Sequence, residues 1–284
     1  MGETATHECI TTLSFFAGEF PRFRVGSLVL CQSYRNPALL AKMAANLQLQ
    51  SSGRFILGLG AGWKEDEHKA YGYPFPDTRT RLQELEEAAI IVKAMWSSRP
   101  ATYEGKHYSI HEAYCEPHPD PPIPLLIGGG GEKVTLRIAA RHANITHTFG
   151  DPQTFARKMQ VIDNWCAEIG RDPREIERSC GVQRNATDAQ RDAYVQAGAA
   201  HLILDMGEPW NFKAVENLLN DEDGLHGSRA PAEGAPRSKC CAGPRHASES
   251  REPGATRQGA SGPWVPAVGP GSSLRSPGTR QVMD

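Results

Sequence analysis

The chain predicts an α/β protein of the TIM (β/α)8 type, with an incomplete barrel of about six of the eight strands and the first two absent. Three observations carry this expectation. From about residue 8 to 220, short apolar runs alternate with helical patterns, as repeated βα units around a parallel sheet do. Two strand-like runs, residues 54–63 and 124–133, end in glycine clusters that lead into charged or helical stretches, where such a barrel presents backbone N–H groups to an anion. The 284 residues would make one barrel-sized domain, typically about 250 residues, or two ordinary ones.

The elements follow in order. Ile10, Leu13, Phe16, Ala17 and Phe20 share one face of a first helix, which Pro21 stops, and residues 23–31 then read as one buried strand. Asn36 is the expected N-cap of the next helix, with Pro37 at its first position. Residues 55–60 form a strand; after an irregular loop, Leu82, Leu85, Ala89, Val92 and Trp96 mark a long amphipathic helix. Thr102-Tyr103, a turn at Gly105 and His107-Tyr108 interrupt the alternation as an inserted hairpin. Strands at 125–127, 144–149, 176–182 and 202–204 then alternate with helices at 132–142, 152–169 (closed by Gly170), 187–197 and 212–219.

The texture changes after about residue 222. Gly, Pro, Ser, Ala and Arg dominate, and too few large aliphatics remain to offset the entropy of ordering. The expected organisation is a barrel domain over residues 1–220 and a disordered low-complexity tail over 221–284. The tail's composition fits out-of-frame translation of a GC-rich gene, with a Pro-rich interaction tail as the competing reading.

A net charge of −2 argues against a nucleic-acid partner and leaves a small molecule as the default. Seven scattered cysteines without C-x-x-C spacing predict neither a disulfide framework nor a zinc or other metal site, and fit reduced thiols in a cytoplasmic setting. The sequence shows neither a signal-peptide pattern nor an apolar run long enough for a membrane span.

The glycines at 128–131 permit positive φ and close ligand approach, so a phosphate is expected there beside Gly129, Gly130, Gly131 and Glu132; a bare strand-to-helix connection is the alternative. Lys133 could add charge, whereas Glu132 would repel an anion unless its carboxylate pointed away. The other cluster has Trp63 where a dinucleotide fingerprint requires glycine, and the P-loop pattern does not occur, so those two classes drop out. Gly60, Ala61 and Gly62 would let a planar ring lie against the backbone with Trp63 as a wall, unless Trp63 packs beneath its loop. Among Lys64-Glu65-Asp66-Glu67-His68, only His68 is a candidate acid or base; a solvated charge cluster is the plainer reading. Arg35 is equally suited to an anion contact or to the surface, and His107, His111 and His118 read as ordinary loop residues.

Residues 25–29 (VGSLV), 33–42 (SYRNPALLAK), 53–63 (GRFILGLGAGW) and 124–131 (PLLIGGGG) together resemble the bacterial luciferase-like monooxygenase family, most closely its branch of oxidoreductases using coenzyme F420, a deazaflavin. The resemblance covers about residues 8–220 and implies a (β/α)8 barrel with the cofactor at the C-terminal mouth. It implies phosphate contacts at Gly129, Gly130, Gly131 and Glu132, and ring contacts at Gly60, Ala61, Gly62 and Trp63, with Ser27 and Leu28 on a neighbouring strand. The implied activity is hydride transfer between coenzyme F420 and an organic substrate, with an FMN-dependent monooxygenase as the close alternative. A catalytically inactive fragment and a phosphate-binding isomerase barrel are the rival classes. Family members draw acid/base groups from the first two strands, so the resemblance leaves the catalytic residue open; by the same analogy, a homodimer is expected.

Overall fold

Register, rather than length, sets the architecture of residues 7–206, the part that the computed structural model describes. Helix α1 (Cys9–Glu19) is capped by the Glu8 carboxylate, which accepts from the N–H groups of Ile10 and Thr11. Its C-terminal carbonyls are held by Arg54, whose guanidinium donates to the carbonyls of Ala17 (2.7 Å), Phe20 (3.1 Å) and Phe23. The expected single strand at 23–31 is instead two short strands, β1 (Val25–Gly26) and β2 (Leu30–Cys31), both paired to β3 (Phe55–Gly60). Between them Ser27 takes its hydrogen bonds from inside the sheet: its hydroxyl donates to the Gly58 carbonyl (2.9 Å) and accepts from the Gly58 N–H (3.0 Å). An apolar run could not reveal that break.

Helix α2 (Pro37–Gln50) starts as expected, with Asn36 accepting from the N–H groups of Ala38 and Leu39. The charged run expected to lie in a loop folds into a short helix, α3 (Glu65–Ala70), and α4 (Thr78–Ser97) follows under an Asp77 cap. Strands β4 (Ala101–Glu104) and β5 (Ser109–Ala113) form the antiparallel hairpin. The hairpin docks on α4 because Glu87 accepts the N–H groups of Lys106, His107 and Tyr108 at 2.9 Å each.

β6 (Leu125–Gly128), α5 (Thr135–His142), β7 (Ile145–Thr148), α6 (Pro152–Ile169), β8 (Glu177–Gln183), α7 (Asp188–Gln196) and β9 (His201–Asp205) complete the described chain. The parallel sheet runs β1-β3-β6-β7-β8-β9, with β2 also on β3. It accounts for the six expected strand positions, the first one divided. Gly170, left-handed at φ 71°, ends α6, and a reciprocal Thr187–Gln190 capping box opens α7. The expected helix at 212–219 and the tail at 221–284 lie outside the described residues.

Strand alternation sorts the two faces. Phe55, Leu57, Leu59, Leu125 and Ile127 pack into the helix-covered core with residues of α2 and α4. Ile56, Leu126 and Ile145 form a separate cluster on the other face, which is the inner face of the barrel wall. Among the described residues, no helix is long and apolar enough to cross a membrane.

Candidate functional site

The register places one inner-face row across the wall: Cys31, Gly60, Gly128, His147, Ser179 and His201 are successive partners on β2, β3, β6, β7, β8 and β9. The Leu59–Ile127 pair carries the β3–β6 register up to Gly60 and Gly128. Both expected glycine clusters therefore sit at the same C-terminal end of the sheet, but their surroundings differ.

In the first cluster, the space is taken by the protein itself. A Cβ on Gly58 would lie 1.9 Å from the Ser27 carbonyl oxygen, and one on Gly60 2.7 Å from a Val29 methyl. Gly62, at φ 76°, would place its Cβ 2.5 Å from the Cys31 sulfur. Val29 also reaches Gly128, where a Cβ would meet its other methyl at 2.7 Å. The surface offered to a ligand here is thus the half-exposed Leu28–Val29 pair, joined by a cis peptide, lying over the glycine backbone. Ser27 is 4 % exposed with its hydroxyl committed to Gly58, so it supports that ledge from behind. Trp63 is 82 % exposed, which excludes packing under its own loop.

In the second cluster Thr135 packs against the turn, 3.0 Å from where a Gly129 Cβ would be and 2.9 Å from that of Gly131, but backbone N–H groups stay unpaired. Gly129, at φ 130°, donates its N–H to the His147 carbonyl (2.9 Å), while the N–H groups of Gly130, Gly131 and Glu132 donate to no group among the described residues. The expected helix at 132–142 begins only at Thr135, after a turn at 132–134, and no side chain caps it. Lys158 of α6 supplies the charge: its Nζ donates to the Phe149 carbonyl (2.6 Å) and lies 2.5 Å from where a Gly130 Cβ would be. Desolvation, with Arg157 next, lowers the Lys158 pKa. Glu132 is tied to Arg157 as an ion pair, and its carbonyl accepts from the Trp165 indole (3.0 Å). That pairing answers the repulsion expected from its carboxylate. Lys133 is exposed.

His68, the sequence candidate for acid/base work, is fully buried. Its Nδ1 lies 3.1 Å from the Lys64 carbonyl, which can only accept, so Nδ1 carries the proton and Nε2 faces the Cys31 thiol at 3.8 Å. The rings of Tyr34 and Phe75 pack on it, each at 4.8 Å between centroids. As placed it is closed to a substrate and organises the loop behind Cys31. Burial and the Glu67 carboxylate push the Tyr34 hydroxyl pKa well up, which keeps that phenol a donor to Glu67 (3.0 Å). Arg35 is occupied by an ion pair with Glu8. Among the described residues, no three potential metal ligands cluster.

Sequence reasoning passed over His147. It is 1 % exposed, its Nδ1 lies 2.8 Å from the Ser179 hydroxyl, and its Nε2 has no hydrogen-bond partner. Desolvation, with a smaller contribution from His201, lowers its pKa to about 4. The available signal was the polar triplet Thr146-His147-Thr148 in a strand expected to be buried on both faces.

Comparison with known proteins bears on the fold and the family. F420-dependent glucose-6-phosphate dehydrogenases of Kineococcus radiotolerans and Microbacterium testaceum are 38 % and 31 % identical over 124 and 160 residues, covering 43 % and 55 % of this chain. The matched stretches span only 36 % and 47 % of those relatives. An F420-dependent secondary alcohol dehydrogenase superposes with a TM-score of 0.66 at 17 % identity, covering 75 % of this chain and 82 % of that one. The coenzyme F420-dependent tetrahydromethanopterin reductase of Methanopyrus kandleri gives 0.62 at 17 % identity, covering 74 % and 85 %. These superpositions show the shared fold, in which the parallel sheet is part of an incomplete barrel. The model of the luciferase-like monooxygenase family matches residues 1–249, and to that family the chain belongs.

Proposed function

We propose that the protein is an oxidoreductase that holds coenzyme F420 at the C-terminal mouth of the sheet and transfers hydride between that deazaflavin and the alcohol or carbonyl carbon of a small organic substrate. The observation that carries this reading is the open glycine turn, with three unpaired N–H groups beside the Lys158 ammonium, in a chain whose relatives include F420-dependent dehydrogenases. A Cβ at Gly130 would fill the space that a phosphate oxygen needs, so the residues present fit the phosphate end of such a cofactor. When bound, the deazaflavin supplies the hydride acceptor or donor.

The chain's own residues orient and shield. Gly130, Gly131 and Glu132 bind the phosphate through backbone N–H groups, and Lys158 balances its charge. Leu28 and Val29 give the ring an apolar ledge, held by the Ser27 clamp on Gly58, while the exposed Trp63 borders it and helps to exclude water. Gly60 keeps the backbone low beneath that ledge, and Gly62 does so against Cys31. Titrating the purified protein with coenzyme F420 and separately with FMN, while following fluorescence, tests the reading. Saturable binding of F420, followed by loss of its oxidised absorbance on adding glucose 6-phosphate as the first alcohol, is expected. Saturation by FMN alone would move the protein to the monooxygenase reading, and binding of neither would overturn both.

A further inference from the structure

We propose that His147 is a catalytic residue whose Nε2 hydrogen-bonds the reacting oxygen of the substrate, and that the Phe149 ring is the movable cover over it. The proposal deepens the oxidoreductase reading and rests on it for the identity of the reaction.

An imidazole nitrogen sealed from water without a partner requires an explanation. The Nε2 of His147 is such an atom, and the residues around it show where it points. Gly181 on β8 shares the inner-face alternation of Ser179, and a Cβ there would lie 3.0 Å from the Phe149 ring and 3.8 Å from His147 Nε2. The bare backbone at 181 leaves the volume that the Phe149 ring now fills, edge-on to the imidazole at 4.9 Å and 84°. Phe149 is itself 65 % exposed, so rotation about its side-chain bonds costs little burial and opens Nε2 toward the mouth. On the other flank the Val29 methyls take the inner-face space over Gly60 and Gly128. A ring on that ledge occupies the β2-β3-β6 side, which leaves β7 and β8 to the second molecule.

The backing of His147 suits a proton carrier. The Ser179 hydroxyl can donate or accept, and in the tautomer this role requires, with Nδ1–H donating to it, Nε2 can gain or lose a proton without rearranging that bond. In alcohol oxidation the O–H bond breaks and its proton passes to Nε2, while the C–H bond gives its electron pair as hydride to the oxidised deazaflavin and the C=O bond forms. Carbonyl reduction runs the same transfers backward. Burial keeps the free imidazole neutral, so Nε2 is ready to accept the hydrogen bond of a substrate hydroxyl. The other ionisable groups near this wall are His201, held to Glu177 at 2.9 Å on the far side of Ser179, and Lys158, held to the Phe149 carbonyl. His68 cannot play this part, because Nδ1 is bound to a carbonyl and the ring is enclosed.

Two measurements on the full chain test the proposal. In the first, diethyl pyrocarbonate labelling is read by peptide mass spectrometry, with the exposed His111 as internal reference. His147 is expected to label far more slowly than His111 in the wild type, to gain about tenfold in Phe149→Ala, and to be protected there by glucose 6-phosphate and by cyclohexanone. Unchanged labelling in Phe149→Ala, or no protection by either probe, would overturn it. In the second, His147→Gln should bind coenzyme F420 within about threefold of wild type while turnover falls about 100-fold, with the pH dependence of turnover altered. Retained turnover with F420 still bound would sink the proposal and leave the cofactor reading intact. Failure of the wild type to bind F420 would overturn the cofactor reading and the catalytic role of His147 with it, and the labelling would then decide only whether Phe149 covers Nε2.

Discussion

The two glycine clusters look alike in sequence and lie on neighbouring strands, yet their glycines are there for different reasons. At residues 58–62 the missing side chains admit other parts of the protein: the Ser27 carbonyl, the Val29 methyls and the Cys31 sulfur. At residues 129–131 they admit only the side chains of Thr135 and Lys158 and leave backbone N–H groups unpaired. A glycine run therefore marks close approach, and only the identity of what approaches separates a structural cluster from a ligand cluster.

The sharpest way to break this comparison is Gly58→Ala. Its Cβ would meet a backbone carbonyl at 1.9 Å inside a fully buried strand, so a loss of about 3 kcal/mol in urea-unfolding stability is expected. A loss below about 1 kcal/mol would show that the Ser27 segment yields easily.

Acid separates the halves next. The pKa of His147 falls from 6.5 in the unfolded chain to about 4 in the fold, so the unfolded state binds the extra proton first. Its contribution is complete above pH 6.5 and is lost as pH falls toward 4, up to about 3 kcal/mol. Because the His147 carbonyl anchors Gly129, the open turn should loosen with it. Urea unfolding of wild type and His147→Gln at pH 7 and at about pH 4.5 checks the sign: the wild type should lose the more stability.

Smaller effects sharpen the contrast. Gly60→Ala should destabilise by about 1–2 kcal/mol, and Val29→Ala in the same chain should recover about 1 kcal/mol of it, which a double-mutant cycle measures. Gly130→Ala meets only the flexible end of Lys158, so stability should change by less than about 0.5 kcal/mol. Affinity for F420 should nevertheless fall about tenfold in Gly130→Ala and also in Lys158→Met, read by the fluorescence titration. Equal stability losses at Gly58 and Gly130 would erase the distinction between the clusters.

The periodic features were legible in the chain because they arise within one segment. Asn36 before Pro37, Gly170 after Ile169, the apolar face around Leu85 and Val92, and the alternation of strand and helix each depend on neighbours a few residues away. The glycine clusters could likewise be placed at strand ends, and the family resemblance followed from their order. What only the tertiary structure decided depends on segments far apart in sequence. The strand at 23–31 breaks because the Ser27 hydroxyl finds Gly58, and α3 forms where Tyr34 and Phe75 enclose His68. Gly60 faces Val29, whereas Gly130 faces Lys158 from a helix 28 residues on. His147 became visible only when register set it beside Ser179 and under Phe149. Local sequence carries propensity, but a side chain's role follows from what strand pairing brings within a few ångströms of it.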